Sequence, residues 1–410
     1  SGSIAAVAGG LSWQPVVTAS TVTVVSNNGY FINTTSNACT ITLPSSASAG
    51  DQIILADYAR NWATNAITID SNGLLFQGET DAFIVDYDTA GQAVNLVYSG
   101  ATVGWTPASD IVSAFEPVAP TIQRAIFAFG YTSSNVSMSN LVSSSGVVGS
   151  DVTGVGTARH YLAAVSYGGD KAIFGYGENA SGYVSMTNLV NNSGVVAADV
   201  SGVGTARTGL AAASYGGDKA IFGYGQIDGG AKSSLTNLVG NTGTVASDVS
   251  GVGTARAYLA AASYGGDKAI FGYGETGSYV SMTNLVNNSG VVAADVTGVG
   301  TARRLLAAAG YGEDKAIFGY GQSSGGYVSM TNLVNSSGVV AADVSGVGTA
   351  RRLLAAASYG GDKAIFGYGF TGSNVSMSNL VNNSGVVAAD VTGVGTARYA
   401  LGAAGYSYSA

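Results

Sequence analysis

GVGTARRLLAAASYGGDKAIFGYG, residues 346–369, is the stretch that decides the fold, because near copies of it recur along most of the chain. The string GVGTAR begins at residues 154, 202, 251, 298, 346 and 393, so successive copies lie 47 to 49 residues apart. The companion string AIFGYG begins at 172, 220, 269, 316 and 364, and the variant AIFAFG begins at 125. A repeat of this length predicts a solenoid or a propeller.

Each repeat divides into four short strands, which we call A to D. In the copy around residues 206–250, GLAAASY is strand A, AIFGYG is strand B, SSLTNLV is strand C and TVASDVS is strand D. The turns GGDK and GNTG separate A from B and C from D, and their Gly, Asn and Asp residues tolerate positive φ. No proline occurs after Pro120, so no strand loses a ladder donor to proline.

The two ends of the repeat array favour a closed ring. The array begins near residue 121 with a strand B, TIQRAIFAFG, and ends at residues 399–410 with a strand A, YALGAAGYSYSA. Together these two fragments complete one repeat, which removes both exposed sheet edges. An open solenoid would instead need polar capping repeats at its ends. We therefore predict an all-β protein in which residues 121–410 form a six-bladed β-propeller closed by residues 399–410.

The order of residues within a repeat resembles that of kelch-type propellers. Arg207, Gly216, Gly217, Phe222 and Gly225 match the kelch order of an arginine, a small apolar strand, a Gly-Gly turn and an aromatic strand ending in glycine. The resemblance covers about residues 121–410 and implies architecture rather than ligand. The usual kelch tryptophan on the outer strand is absent, because all three tryptophans precede residue 106.

Residues 1–106 do not repeat and read as a smaller N-terminal domain rich in β-strands, such as a β-sandwich. Short apolar runs such as AITID, AFIVD and AVNLVYSG alternate with Asn-Gly, Ser-Asn and Ser-Ala-Gly turns. The segments TLPSSASAGD and LVYSGATVGW resemble a module of bacteriophage tail-fibre and other virion proteins. Residues 107–120 are expected to be a linker, since they combine three prolines with little pattern.

Composition narrows the classes of function. A net charge of −8 argues against nucleic-acid binding, and no apolar run is long enough for membrane insertion. The chain has one histidine, His160, and one cysteine, Cys39, so a His-based zinc site or a catalytic Cys–His pair in each repeat is not expected. We expect no enzyme activity, metal or cofactor, and we expect His160 to be a solvent-exposed loop residue. A propeller enzyme acting on glycans is the least favoured hypothesis.

Three charged series recur once per repeat. The Asp-Lys pairs of the GGDK turns are expected to be solvated. An arginine ends each GVGTAR, and it either has a structural role, bonding turn carbonyls or the neighbouring blade, or lines a channel mouth that attracts anions. An aspartate in strand D is expected to bond the glycine-rich turn that follows it. The strand-D aspartates are Asp151, Asp199, Asp248, Asp295, Asp343 and Asp390.

The repeats differ most in two places: the residues just after each arginine and the loop between strands B and C. In an up-and-down blade these places lie at the same end, so they predict one variable face suited to binding. Rings on this face suit stacking on sugars or anchoring a protein. The candidate ligand-binding residues are Tyr161, Tyr183, Tyr258, Tyr279, Arg304, Tyr327, Arg352, Phe370 and Tyr399. Neutral variation of exposed loops is the alternative explanation.

These observations favour a non-enzymatic virion or extracellular fibre protein. Its N-terminal domain would serve assembly, and its propeller would serve display or binding of a cell-surface glycan or protein receptor. The alternative is a structural subunit of an extracellular filament that carries the propeller as decoration. In both cases we expect a homo-oligomer or filament, with the apolar residues Ile4, Val7 and Leu11 docking on another chain.

Overall fold

The computed structural model describes residues 11–79, 85–110 and 122–408, and the chain divides into two compact units, Ser1–Pro120 and Thr121–Ala410. The all-β prediction is confirmed, since the described residues form strands, turns and a single short 3-10 helix, Asp228–Gly230. Within these ranges we find no helix with the length and apolarity needed to cross a membrane.

The N-terminal unit contains two sheets. Their strands are β1 (Ser12–Trp13), β2 (Thr21–Thr23), β3 (Asn28–Ile32), β4 (Cys39–Thr42), β5 (Gln52–Asp57), β6 (Ile67–Asp70), β7 (Val85–Tyr87), β8 (Ala93–Tyr98) and β9 (Trp105–Asp110). One sheet has the order β1-β3-β5-β8-β9 and the other the order β2-β4-β6-β7. Alternate residues of both sheets are buried in one core, which includes Ile41, Leu55, Trp62, Leu96 and Trp105.

The path of the chain through these sheets differs from the hairpins that the turn signals indicated. Strands β1 to β6 enter the two sheets alternately, and β1, β3 and β5 pair in parallel, as do β2, β4 and β6. Parallel neighbours require a crossover, so the intervening segments pass to the other sheet instead of forming tight hairpins. Asn28-Gly29, expected to be a turn, begins strand β3 and pairs with Ile53 and Ile54.

Strand β9 extends four residues into the segment that was predicted as a linker, since it ends at Asp110. Pro107 lies inside β9, opposite Leu96, where the pairing with β8 shifts its register. A proline is tolerated there because β9 is the outermost strand of its sheet and the irregularity relieves the missing donor.

The second unit contains the repeats. Its strands are β10 (Ile122–Ala128), β11 (Ser139–Val142), β12 (Ala163–Tyr167), β13 (Lys171–Gly175), β14 (Glu178–Asn179), β15 (Gly182–Tyr183), β16 (Thr187–Val190), β17 (Ala211–Tyr215), β18 (Lys219–Gly223), β19 (Thr236–Val239), β20 (Ala260–Tyr264), β21 (Lys268–Gly272), β22 (Thr283–Val286), β23 (Ala307–Tyr311), β24 (Lys315–Gly319), β25 (Gln322–Ser323), β26 (Gly326–Tyr327), β27 (Thr331–Val334), β28 (Ala355–Tyr359), β29 (Lys363–Phe370), β30 (Asn374–Val381) and β31 (Gly402–Tyr408).

Six antiparallel three-stranded sheets repeat the order A-B-C, and we call each sheet with its flanking loops a module. Module 1 is β31-β10-β11, and modules 2 to 6 are β12-β13-β16, β17-β18-β19, β20-β21-β22, β23-β24-β27 and β28-β29-β30. The pairs β14-β15 and β25-β26 are small hairpins in the loops of modules 2 and 5. In module 1 the C-terminal strand β31 pairs with β10 over seven residue pairs, from Ile122↔Tyr408 to Ala128↔Gly402.

The predicted strand D does not form a continuous strand in these modules. In module 2 it is reduced to two isolated bridges to strand C, Val190↔Val196 and Thr187↔Val200. Between the bridges the Ala197 amide donates to the Leu189 carbonyl at 2.8 Å, so the ladder is irregular. The interruption places the Asp199 side chain against Thr157, which its carboxylate binds.

The innermost strands meet in a cycle, in which β12, β17, β20, β23, β28 and β31 each contact the next and β31 contacts β12. Alternate alanines of these strands are buried, because small side chains let neighbouring strands approach closely. The larger Ile and Phe side chains of strand B are fully buried and fill the space between modules. Between strands A, the Ser214 hydroxyl donates to the Ser166 carbonyl, and the Ser166 hydroxyl to the Gly405 carbonyl, both at 2.7 Å.

Candidate binding surface

The two variable segments of each module lie side by side. The residue after the arginine bridges to the residue that follows AIFGYG or AIFAFG, and these pairs are His160↔Glu178, Thr208↔Gln226, Ala257↔Glu275, Arg304↔Gln322, Arg352↔Phe370 and Tyr131↔Tyr399. The near-constant GGDK turns lie at the opposite ends of the same strands. We call the variable end the variable-loop surface; it comprises residues 131–135, 160–161, 178–183, 208–209, 226–232, 257–258, 275–279, 304–305, 322–327, 352–353, 370–374 and 399–400.

A closed ring of backbone hydrogen bonds forms the centre of this surface. The second residue after each arginine donates its amide to the equivalent carbonyl of the preceding module, at 2.7 to 3.0 Å. The six residues are Tyr161, Gly209, Tyr258, Leu305, Leu353 and Ala400, and all have φ between 52° and 60°. The left-handed conformation is uncommon for leucine or tyrosine, so the ring must stabilise it. A cavity of about 80 Å³ at the ring is lined mainly by leucines, including Leu162 and Leu210.

Aromatic rings form a continuous series around this centre. Tyr161 contacts Tyr258 on one side, with ring centroids 5.5 Å apart, and His160 on the other, at 4.7 Å. The series continues from His160 through Tyr131 to Tyr399, with separations of 5.3 and 5.4 Å. The next ring is that of Phe370, whose centroid lies 5.6 Å from that of Tyr399. The series ends with Tyr327, whose ring centroid lies 6.4 Å from that of Phe370.

All nine residues that the sequence indicated are half-buried on this surface. Five belong to the aromatic series, and the two arginines lie over its rings. Tyr279 does not contact the series directly but packs against Arg304, whose guanidinium lies 4.9 Å from the centre of the Tyr279 ring. Tyr183 makes no ring contact with the series within the described chain, but its hydroxyl accepts a hydrogen bond from Gln226 Nε2 at 3.0 Å.

The structure corrects the expectation for His160. Its ring packs between Tyr131 and Tyr161 instead of extending into solvent, and burial lowers its pKa against the raising effect of Glu178. Burial also raises the pKa of Tyr161 to about 12, so its hydroxyl stays protonated at neutral pH. Tyr131 and His160 belong to this series but were not among the candidate ligand-binding residues, although both lie in segments where the modules differ.

Charged side chains are distributed unevenly over the surface. Glu275 accepts hydrogen bonds from Lys232, at 3.3 Å, and from Arg304. Arg304 also lies 5.9 Å from the centre of the Tyr258 ring. Arg352 lies over the rings of Tyr327 and Phe370, at 4.9 and 5.5 Å.

The arginines that end GVGTAR hold the variable segments in place and are fully buried. Arg256 donates from Nε to the Tyr273 carbonyl at 2.9 Å, from Nη1 to the Thr254 carbonyl at 3.2 Å and from Nη2 to Asn284 Oδ1 at 2.7 Å. Its guanidinium lies 4.3 Å from the Tyr224 ring of the preceding module. The arginines are therefore structural, bonding loop carbonyls and the neighbouring module, and do not line a channel mouth.

The strand-D aspartates also bind a segment other than the one expected. Asp295 accepts hydrogen bonds from the amide and hydroxyl of Thr254, 41 residues earlier, and from Asn284 Nδ2. The expectation of a bond to the following turn was wrong, because the preceding GVGTAR segment crosses the same module. Burial raises the pKa of Asp295, but the hydrogen bonds from Thr254 and Asn284 outweigh it, so its pKa lies below the usual value.

On the opposite face the Asp-Lys pairs of the GGDK turns contact each other beside solvent. Lys268 lies 2.9 Å from Asp267, and both side chains are well exposed. Such exposed pairs add little to stability, because water screens their attraction. A cavity of about 210 Å³ opens between these turns and is lined by serines of strand A, including Ser166 and Ser214, and by Glu313.

The N-terminal unit carries an exposed aromatic patch. Trp13 is 48% exposed and stacks on Phe31 with ring centroids 4.4 Å apart, and Tyr58 is 57% exposed beside Phe31. Leu11, one of the three predicted assembly residues, precedes β1 and is half-buried. Ile4 and Val7 lie outside the described residues.

No protein-family model matches the sequence, and a comparison with curated proteins finds none with significant similarity.

Proposed function

We propose that residues 121–410 form a six-bladed, kelch-like β-propeller in which each module is one blade. The cyclic contacts of strands A support this architecture, as does the ring of hydrogen bonds through Tyr161 and its equivalents. A second cycle of hydrogen bonds on the opposite face supports it too. The Gly216 amide donates to the Asp267 carbonyl of the next module, and the Gly360 amide donates to the Gln123 carbonyl, where the two ends of the repeat region meet.

We further propose that the chain is a non-enzymatic virion or extracellular fibre protein whose variable-loop surface binds a receptor on a cell. One observation carries this proposal. Nearly identical modules differ chiefly at one end, and the differing residues there include a continuous series of half-buried rings with charged groups over them. Loops held by a rigid scaffold are common binding elements, and aromatic anchors dominate many interfaces.

The role proposed for the N-terminal unit is assembly into a homo-oligomer or filament. The stacked Trp13 and Phe31, with Tyr58 beside them, place large apolar side chains in solvent at the β1 edge of a sheet. Exposed aromatic patches and unpaired edges both favour contacts with another chain. This patch equally favours the second candidate, a structural subunit of an extracellular filament that carries the propeller as decoration.

Replacement of Tyr258, Tyr279 and Tyr327 by alanine tests the receptor-binding proposal. We expect the triple variant to lose about 30-fold or more in affinity for the glycans that the full chain binds on a glycan array, because three aromatic anchors are removed. The fold should remain, since Ala400 already occupies the position equivalent to Tyr258 in the hydrogen-bonded ring.

The matched control replaces Asp267 and Lys268, which lie on the opposite face, by alanine and should bind like the unmodified chain. Thermal unfolding measured by circular dichroism checks that both variants stay folded. Binding that survives in the tyrosine variant and disappears in the control would contradict the choice of face. A chain that assembles into filaments but binds no array component would favour the structural candidate.

A further inference from the structure

Two arginines on the variable-loop surface occupy equivalent positions in neighbouring modules but meet different partners. Arg304 and Arg352 each follow the buried arginine of their module, and each pairs through its backbone with the residue after AIFGYG, Gln322 or Phe370. Each guanidinium also lies over two rings, Tyr258 and Tyr279 for Arg304, and Tyr327 and Phe370 for Arg352. The two sites are therefore an internal comparison within one chain.

The difference lies in the side chain that the preceding module supplies. For Arg304 this residue is Glu275, whose carboxylate forms an ion pair with it and with Lys232. The equivalent residue for Arg352 is Gln322, whose Oε1 accepts a hydrogen bond from Arg352 Nη1 at 2.7 Å. Among the residues that the structure describes, no carboxylate lies within 4.0 Å of the Arg352 side-chain nitrogens. Arg352 therefore has a neutral amide where Arg304 has a carboxylate.

The Arg352 guanidinium also keeps unused donors. Its five N–H groups are arranged in a fork that matches an oxyanion. Over the described ranges, one hydrogen bond from its side chain is found, the one to Gln322. The guanidinium lies 4.9 Å from the centre of the Tyr327 ring and 5.5 Å from that of Phe370, and the ring of Tyr399 lies next to Phe370. An anionic group flanked by flat apolar surface fits this arrangement.

We infer that Arg352 binds the carboxylate or phosphate of an acidic saccharide, with Tyr327, Phe370 and Tyr399 stacking on the sugar rings. This inference rests on the proposed function and names the ligand class for the same surface. A single anionic group is favoured over an extended polyanion, because the chain carries a net charge of −8 and the neighbouring Arg304 already pairs with Glu275.

The test compares galacturonate with its methyl ester, which keeps the sugar ring and removes the charge. Galactose 6-phosphate serves as the phosphate-bearing probe. Three variants of the full chain are used: Gln322→Glu, which supplies Arg352 with the carboxylate that Arg304 already has; Arg352→Ala; and the control Lys268→Ala, which removes a positive charge from the opposite face. All three should fold, since Glu275 and Ala257 occupy the corresponding positions in another module and the Lys268 side chain is well exposed.

We expect the unmodified chain to bind at least one charged probe about tenfold or more tightly than the esterified saccharide, as measured by titration calorimetry. Gln322→Glu and Arg352→Ala should each lose that preference, and Lys268→Ala should keep it. Preference for galacturonate assigns a carboxylate, and preference for galactose 6-phosphate assigns a phosphate.

Equal binding of the charged and esterified saccharides would overturn the inference, and so would a preference that Gln322→Glu leaves unchanged. Either result, combined with loss of binding in the triple tyrosine variant, would leave the proposed function standing. Saccharide binding that the triple tyrosine variant fully retains would instead refute the proposed surface.

Discussion

Substitution of methionine for one buried arginine tests whether these arginines hold the modules together. We choose Arg256→Met, because methionine keeps much of the length and apolar volume of the side chain and removes its charge and donors. The unmodified guanidinium is fully buried and bonds the Tyr273 and Thr254 carbonyls and Asn284 Oδ1. It also lies 3.9 Å from Asp295.

The expected loss follows from these contacts. A hydrogen bond to a charged group contributes about 1.5–3 kcal/mol, so three bonds would contribute more than half of a typical domain stability if they simply added. Part of this loss is offset, because the variant no longer has to remove a charged guanidinium from water. Removing one partner of a buried ion pair costs about 3–5 kcal/mol in net stability. We therefore expect Arg256→Met to lower the free energy of unfolding by about 3–5 kcal/mol.

Arg207→Met in the neighbouring module is the matched comparison. Arg207 is equally buried, but it makes hydrogen bonds to Asn237 Oδ1 at 2.6 Å and Asp248 Oδ1 at 3.5 Å, and its Nε has no partner within the described ranges. Its replacement should therefore cost less than that of Arg256. Urea unfolding followed by tyrosine and tryptophan fluorescence measures both. A loss below about 1 kcal/mol for Arg256→Met, or a larger loss for Arg207→Met, would refute the reasoning.

Two further predictions concern the C-terminal strand and pH. Deletion of residues 402–410 removes the seven pairs between β31 and β10, so unfolding followed by circular dichroism should become broad, with aggregation; an equally sharp transition at the same temperature would contradict the proposed closed ring. Because the folded pKa of Asp295 is lowered, its contribution is complete above about pH 4 and is lost as pH falls through the folded pKa. The unfolding temperature of Asp295→Asn should thus fall less between neutral and acidic pH than that of the unmodified chain, and parallel curves would oppose this assignment.

Local sequence signals predicted strands A, B and C of the repeats well. The positions of β17, β18 and β19 follow from the apolar runs AAASY, AIFGYG and TNLV and from the turn GGDK. The prediction of strand D was wrong: only isolated bridges form there, and its Asp199 binds Thr157, 42 residues earlier. Such a partner lies outside any local window of sequence.

The N-terminal unit and the surface show the same limit. Asn28-Gly29 carries a strong hairpin signal, yet it starts a strand whose parallel partner is β5. The sequence indicated an exposed loop position for His160. Its ring packs on Tyr131, which belongs to another module and lies far away in the sequence, as well as on Tyr161. Variation among modules indicated the variable-loop surface. The difference between Glu275 and Gln322 can be interpreted only once the structure shows that they contact Arg304 and Arg352.

The pairing of β31 with β10 has a consequence for how the repeat region comes apart. Both ends of this region lie within one sheet, so neither can peel away at a boundary between modules. Each end is clamped by the other, and β31 also contacts the innermost strands of the modules on both sides, β12 and β28. A linear array of repeats unfolds most easily from an end. Here unfolding from an end requires the seven residue pairs between β31 and β10 to break together with the contacts of β31 with β12 and β28. The pairing of β31 with β10 therefore slows unfolding at the ends of the repeat region, which are the weakest points of a linear array.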